Sequence, residues 1–273
     1  WTYSCINCQR TTPYLNAWYE KYKDKGFVII GLHTPEFEFE KVYQNVLDAA
    51  KRLGIKYPVV LDNDYSTWNA YQNRFWPRKY LIDIDGYIVY DHIGEGAYEE
   101  TEKKIQELLE ERKSTLGMDE EIGKDISAPA GVVGVDSSIP RSPEVYFGAA
   151  RNQYLANGNS GIVGLQHFEK PSNIELNKLY LIGDCDIQNE YAENKSAQAK
   201  IIFRYSARDV HLVAGALGGV DVHIYKDGQL LDNREGAPIN GQEHIKEEDL
   251  YNLICCGEYV EHTLEIIIEN PGL

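Results

Sequence analysis

At 273 residues the chain exceeds the commonest single-domain size, so two domains, each with its own core, are the first expectation. A composition of 43% hydrophobic and 26% charged residues is that of a globular protein, and no apolar run approaches the roughly 18 residues a spanning helix needs. A net charge of -16 repels phosphate backbones and anionic lipid, which argues against nucleic acid and peripheral membrane binding.

From Cys5, CINCQRTTPYLNAWYEKYKDKG places Leu15, Trp18, Tyr19 and Tyr22 at helical spacing and stops at Gly26. FVIIGLH predicts a fully buried strand, EFEKVYQNVLDAAKRLG an amphipathic helix closing on Gly54, and YPVVLDND another short strand. Strand, helix and strand in that order favour a parallel sheet with a crossover helix. In KYLIDIDGYIVYDHIG two runs of β-formers flank Asp85-Gly86, a hairpin signal. AYEETEKKIQELLEERK predicts a surface helix ending near Lys113.

Residues 114–142 lose periodicity and gain Gly, Ser, Pro and acid, the texture of a linker, draped on one domain or free. From 143 to 273 the pattern is short alternating strands with Asp227-Gly228 as a turn, which predicts a β-sandwich or jelly roll. The expected architecture is an α/β domain over 1–113, a linker over 114–142 and an all-β domain over 143–273.

Five cysteines, Cys5, Cys8, Cys185, Cys255 and Cys256, are too few for a disulfide scaffold. The C-x-x-C pair Cys5 and Cys8 can be a metal clip, a structural disulfide or a redox couple. Zinc needs a second pair of ligands, and none is spaced for it, so no metal is expected. A helix N-terminus suits a redox couple. Its unpaired N–H groups and dipole stabilise a thiolate at Cys5, and a second thiol one turn on lies within disulfide reach at Cys8. The other three cysteines read as core thiols.

WTYSCINCQRTTPYLN, HTPEFEFEK, DNDYSTWNAYQNRFWPRKYLIDIDG and GEGAYEETE together resemble thioredoxin-like thiol:disulfide oxidoreductases of the TlpA/DipZ type. The resemblance is close over 1 to about 112 and weaker over the remainder, which looks like the jelly-roll, carbohydrate-binding-module-like domain that follows the thioredoxin unit. It implies disulfide exchange through Cys5 and Cys8 outside the cytoplasm, in the periplasm or at the cell surface. Protein disulfides would be the substrates and a membrane carrier of the cytochrome-c-biogenesis type the electron donor, with no cofactor. It also implies a cis Pro77 that, with Trp1 and Trp76, lines the substrate groove.

Two departures stand out. The strand that precedes the tryptophan in this family is missing: either it is lost with an N-terminal segment, since the sequence starts mid-motif without Met, or another segment replaces it. A tether to the membrane would lie in such a segment. A closing strand after the final PGL is also absent, which leaves an exposed sheet edge or marks a clipped chain. With the usual buried acid gone, Glu36 becomes the candidate proton acceptor for Cys8, against its reading as an ordinary loop carboxylate.

Other readings compete. Thr2-x-x-Cys5 matches part of a peroxidase signature, so thiol peroxidase chemistry is an alternative. His33 and His92 are candidates near the site, although a lone His beside a strand more often serves structure. Tyr146, Phe147, Tyr154, Tyr191 and Tyr225 could stack on sugar rings, which would make the second domain a glycan- or protein-binding module on a thioredoxin-like scaffold. Asn194-Lys195-Ser196 fits a glycosylation acceptor.

Overall fold

The computed structural model describes residues 1–132, 134, 139, 141–231, 241–255 and 257–273. It divides into two compact units, Trp1–Gly134 and Val135–Leu273.

In the first unit, helix α1 (Ile6–Tyr22) turns Cys8, Thr11, Thr12, Trp18 and Tyr22 inward. Pro13 lies inside it and leaves the Gln9 carbonyl without its helical donor. On the turn before, the Thr11 and Thr12 hydroxyls bond the Asn7 and Cys8 carbonyls at 2.8 and 3.0 Å. Strand β1 (Gly31–His33) pairs in parallel with β2 (Val59–Leu61), and α2 (Tyr43–Arg52) crosses between them, burying Val46 and Ala49. A short α3 (Ser66–Ala70) leads to the antiparallel hairpin of β3 (Arg78–Ile82) and β4 (Ile88–Ile93), turned through Asp85-Gly86. Helix α4 (Tyr98–Leu116) closes on Gly117 at φ 64°, a left-handed end that suits glycine.

One expectation fails in this unit. FVIIGLH is not a fully buried strand: only Gly31–His33 pairs, while Val28 and Ile30 are 69% and 56% exposed. Strand β1 has a ladder partner only in β2 among the described residues, so the apolar run before it lacks a covering layer.

Past Lys113 the helix continues to Leu116, and the chain beyond returns to the unit. Ile122 is buried with Trp18, Tyr22, Ile105 and Leu109. The fully buried Glu102 carboxylate accepts from Ser127 N–H (2.7 Å), Ser127 Oγ (2.8 Å), Tyr22 OH (2.9 Å) and Lys21 Nζ (3.0 Å). Four donors on one buried carboxylate satisfy its charge without water.

The named strands of the second unit pair antiparallel: β5 (Gly164–Phe168), β6 (Leu179–Ile187), β7 (Ala192–Asn194), β8 (Ala199–Ser206), β9 (Val210–Ala214), β10 (Val220–Lys226), β11 (Gln229–Leu230), β12 (Gln242–Ile245), β13 (Asp249–Ile254) and β14 (Glu261–Ile268). One sheet runs β11-β10-β14-β8-β6-β5, with β12 on β10 and β7 on β6, and β9 and β13 form a separate ribbon. Along β10, Val220, Val222 and Ile224 are buried between the outward residues Asp221, His223 and Tyr225, as a pleat with one dry face requires. The ribbon adds Leu212, Leu253 and Ile254 to the same core, making a two-layer sandwich. Cys185 is a buried core thiol, whereas Cys255 is half-buried after β13 and Cys256 lies outside the described residues.

Candidate active site

Cys5 is the N-cap of α1, with extended backbone (φ -86°, ψ 115°), and its sulfur accepts the Cys8 N–H at 3.3 Å. The first N–H groups of a helix have no internal acceptor, so a sulfur here takes the place of a capping oxygen. Three residues on, Cys8 lies on the same face but is only 2% exposed, while Cys5 is half-buried; both are free thiols.

The Cys5 thiol also points to the Trp76 carbonyl at 3.8 Å, and the Trp76-Pro77 bond is cis. Trp76 is held by its indole N–H on the Thr34 carbonyl (2.9 Å) and by the Trp68 ring at 4.3 Å. Thr34 Oγ1 donates to Asp62 at 3.2 Å, and the same carboxylate caps α3 through Thr67 N–H and Trp68 N–H at 2.9 Å each. The end of β1, the start of α3 and the cis loop are thereby one hydrogen-bonded assembly facing the cysteine pair.

The two thiols titrate together. Their hydrogen bond, then burial, then the charge on Cys8 raise the Cys5 thiol. On Cys8 burial acts upward, but the hydrogen bond from Cys5, the charge of the Trp1 amino group and the Thr2 backbone N–H prevail and lower it. Acidity belongs to the pair, with one proton released readily and the other retained. Access distinguishes the sulfurs, and only Cys5 can be reached from outside.

Of the acids in PEFEFEK, the one turned inward is Glu40, which is fully buried. It accepts Ser4 Oγ at 2.6 Å, Ser4 N–H at 3.3 Å, Glu36 N–H at 2.6 Å and Phe37 N–H at 3.1 Å. Glu36 is half-buried, and its charge bears on Cys5, whereas the carboxylate that bears on Cys8 is Glu40. Glu40 escapes sequence reasoning because three acids alternate over five residues and nothing local marks which one faces in. Its nearest signal is a serine directly before a half-buried cysteine, which needs a fixed partner.

Trp1 packs with Tyr3, Val46 and Ala49, edge-on to His33 at 5.0 Å. His33 is fully buried, its Nε2 bonds Thr2 Oγ1 at 3.3 Å, and burial pushes it down to about 3, so it stays neutral. Thr2 is therefore committed to a ring behind the site. His92 bonds the Glu95 carbonyl at 3.1 Å. In the second unit Phe147 packs on the β core, Tyr146 lies under the Arg151 guanidinium at 3.8 Å, and Tyr191 is 57% exposed. Asn194 is buried and its side-chain amide donates to the Ser196 and Asn270 carbonyls at 3.0 and 2.9 Å, so it is no accessible glycosylation acceptor.

Residues 1–109 match the family model described as Redoxin, and residues 142–273 match the one described as Thioredoxin like C-terminal domain. Protein DipZ of Mycobacterium tuberculosis is 38% identical over 232 residues, 84% of this chain and 32% of that protein. Thiol-disulfide oxidoreductase ResA of Bacillus cereus is 34% identical over 108 residues, 40% of this chain and 60% of that protein. StoA of Bacillus subtilis, a solved structure, gives a TM-score of 0.34 at 22% identity over 38% of this chain and 75% of its own. The chain spans about a third of the length of the DipZ relatives it matches.

These matches define the chain as a Redoxin region followed by a thioredoxin-like C-terminal domain. Within that class the chain is similar to thiol:disulfide oxidoreductases of the TlpA/DipZ type.

Proposed function

We propose that Cys5 and Cys8 exchange a dithiol for a disulfide on extracytoplasmic protein substrates, with Cys5 the attacking and Cys8 the resolving sulfur. The observation that carries this is the 3.3 Å contact from Cys8 N–H to Cys5 Sγ at the mouth of α1, with Cys5 accessible and Cys8 2% exposed.

In the first step the Cys5 thiolate attacks one sulfur of a substrate disulfide. That bond breaks, a mixed disulfide forms, and the other substrate sulfur leaves as a thiolate. In the second step Cys8, deprotonated, attacks the Cys5 sulfur; the Cys5–Cys8 disulfide forms and the second substrate thiolate departs. Two electrons have passed to the substrate. A donor dithiol reverses the sequence on the oxidised pair, and the resemblance to DipZ supports a membrane carrier of the cytochrome-c-biogenesis type as that donor. Trp76 and Pro77 border the sulfur that reacts, so an incoming chain lies along them, and Glu36 acts on Cys5 through its charge. No helix among the described residues is long and apolar enough to cross a membrane, so membrane attachment would come from elsewhere in a longer protein. The second unit would dock a partner protein or a glycan.

Insulin reduction with dithiothreitol as donor tests the reading. Loss of turnover in Cys5→Ser and in Cys8→Ser is the expected result, and turnover retained in Cys5→Ser would overturn it. Peroxide consumption that needs Cys5 alone would replace it with peroxidase chemistry.

A further inference from the structure

We infer that the Lys79 ammonium is the counter-charge of the Cys8 thiolate, a positioning residue that acts through Cys8 when the buried sulfur resolves the mixed disulfide. The inference rests on the exchange reading above and deepens it.

Lys79 and Leu81 share one face of β3, because side chains two apart on a strand point the same way, and Pro77 directly before the strand and Lys79 are both buried. That face runs along α1. At its start the Trp76 carbonyl lies 3.8 Å from Cys5 Sγ, and at its end Leu81 packs against the cluster formed by Trp18 and Tyr22 of α1 with Ile105, Leu109 and Ile122. Three residues of strand cover about 10 Å, which sets Lys79 beneath the second turn of α1, next to the turn that carries Cys8. The neighbours agree with this placement. Lys79 Nζ lies 5.5 Å from the centre of the Tyr98 ring, and Tyr98 OH meets Thr11 Oγ1 of that turn at 3.3 Å.

Lys79 is only 8% exposed, yet its ammonium has one hydrogen bond, to the Gly94 carbonyl at 3.1 Å, and no ion pair among the described residues. A buried cation with two donors unused is costly unless an anion forms beside it. Glu95, the carboxylate whose charge bears on Lys79, is engaged with Arg10 at 3.8 Å. Burial pushes Lys79 down to about 8, and the charge on Cys8, ahead of that on Glu95, holds it up. The other groups facing the pair are Cys5 on α1, the Tyr57 phenol, the Glu40 carboxylate and the Trp1 amino group. Tyr57 is pushed up by burial and stays neutral, and Glu40 opposes a charge on Cys8. The Cys5 hydrogen bond, the Trp1 amino group and the Thr2 N–H favour one, and Lys79 is the buried side-chain cation that itself responds to Cys8.

The chemical sense follows from the resolving step. Cys8 must become a thiolate where water has almost no access, and a cation already in place stabilises it without solvent reorganisation. Once the Cys5–Cys8 disulfide forms, the negative charge leaves with the substrate thiolate and Lys79 can release its proton.

In a Cys5→Ser background, thiolate absorbance at 240 nm, less that of Cys5→Ser/Cys8→Ser, reports the Cys8 midpoint alone. Lys79→Met should raise that midpoint by about 1 pH unit or more and slow resolution at neutral pH about tenfold, and Lys79→Arg should restore both. The coupling is reciprocal, so the Lys79 Cε resonance should titrate lower in Cys5→Ser/Cys8→Ser than in Cys5→Ser, a measurement that does not require Lys79→Met to fold. An unmoved Cys8 midpoint in folded Lys79→Met, or a Lys79 resonance indifferent to Cys8, overturns the inference. If insulin turnover is lost in Cys5→Ser while these midpoints stay fixed, only the role of Lys79 fails; turnover that survives Cys5→Ser removes the exchange reading itself.

Discussion

Ser4 Oγ donates to Glu40 at 2.6 Å, and the carboxylate has no exposure, so a buried charge fixes the residue directly before Cys5. The same carboxylate holds the Glu36 and Phe37 backbone, tying that loop to the start of α1. Glu40→Ala would leave four donors unsatisfied in the interior, at a cost of about 3 kcal/mol or more. Urea denaturation should show this loss. Insulin turnover should fall as well, because Cys5 loses its anchor; an unchanged midpoint and rate would show that the loop is held by other contacts.

His33 gives the first unit a stability limb in acid. Its ordinary value of 6.5 is depressed to about 3 by burial, so between these limits the unfolded chain binds a proton that the folded chain refuses. The stability His33 contributes is fully present above 6.5 and is lost as pH falls toward 3, with a slope of up to about 1.4 kcal/mol per pH unit. Denaturant midpoints measured from pH 7 to 4 should therefore fall less steeply in His33→Phe than in the parent. Parallel curves would mean that His33 is protonated in the folded state.

The four hydrogen bonds on Glu102 staple residues near 127 to α1 and α4. Glu102→Ala removes a buried charge together with its donors' acceptor and should cost about 3 kcal/mol. A chain ending at residue 113 should lose comparable stability, since it lacks both Ser127 and the buried Ile122, whereas one ending at residue 132 should not. Thermal melts of the two fragments distinguish these outcomes.

Core substitution in the second unit should separate stability from redox chemistry. Ile224 and Ile266 face each other across β10 and β14 and are buried to 1% or less. Ile224→Ala should destabilise that unit by about 2–5 kcal/mol through lost contacts and a residual cavity. The reactivity of Cys5 toward a model disulfide should be unchanged. Slower reaction in a folded variant would mean that the first unit depends on the second for its geometry.

Periodicity carried much of this architecture because its strongest segments bury one clean face. The 3.6-residue repeat from Leu15 to Tyr22, the Asp85-Gly86 hairpin and the alternating strands after residue 178 all correspond to real elements. Short elements were harder to read. Strand β12 spans only Gln242–Ile245, and three of its four residues are polar, since its outward side chains pair His244 with Asp221 and Gln242 with His223. The exposed Val28 and Ile30 misled in the opposite sense, because apolarity alone does not say whether a covering layer exists.

At the site, Cys5, Cys8 and Trp76-Pro77 were legible from spacing and resemblance, as local or motif-bound features. Glu40 and Lys79 were not, because each is drawn to the cysteines by tertiary packing. Glu40 reaches Ser4 across 36 positions of chain, and Lys79 is turned inward only by the register of β3 against α1.

The most direct test is to mix Cys8→Ser with a disulfide-containing peptide and look for a covalent adduct by mass spectrometry. Without a resolving sulfur, the mixed disulfide should accumulate on Cys5 alone and be released by added dithiol. No adduct, or one carried equally by Cys185 or Cys255, would contradict the assignment of Cys5 as the sulfur that meets the substrate.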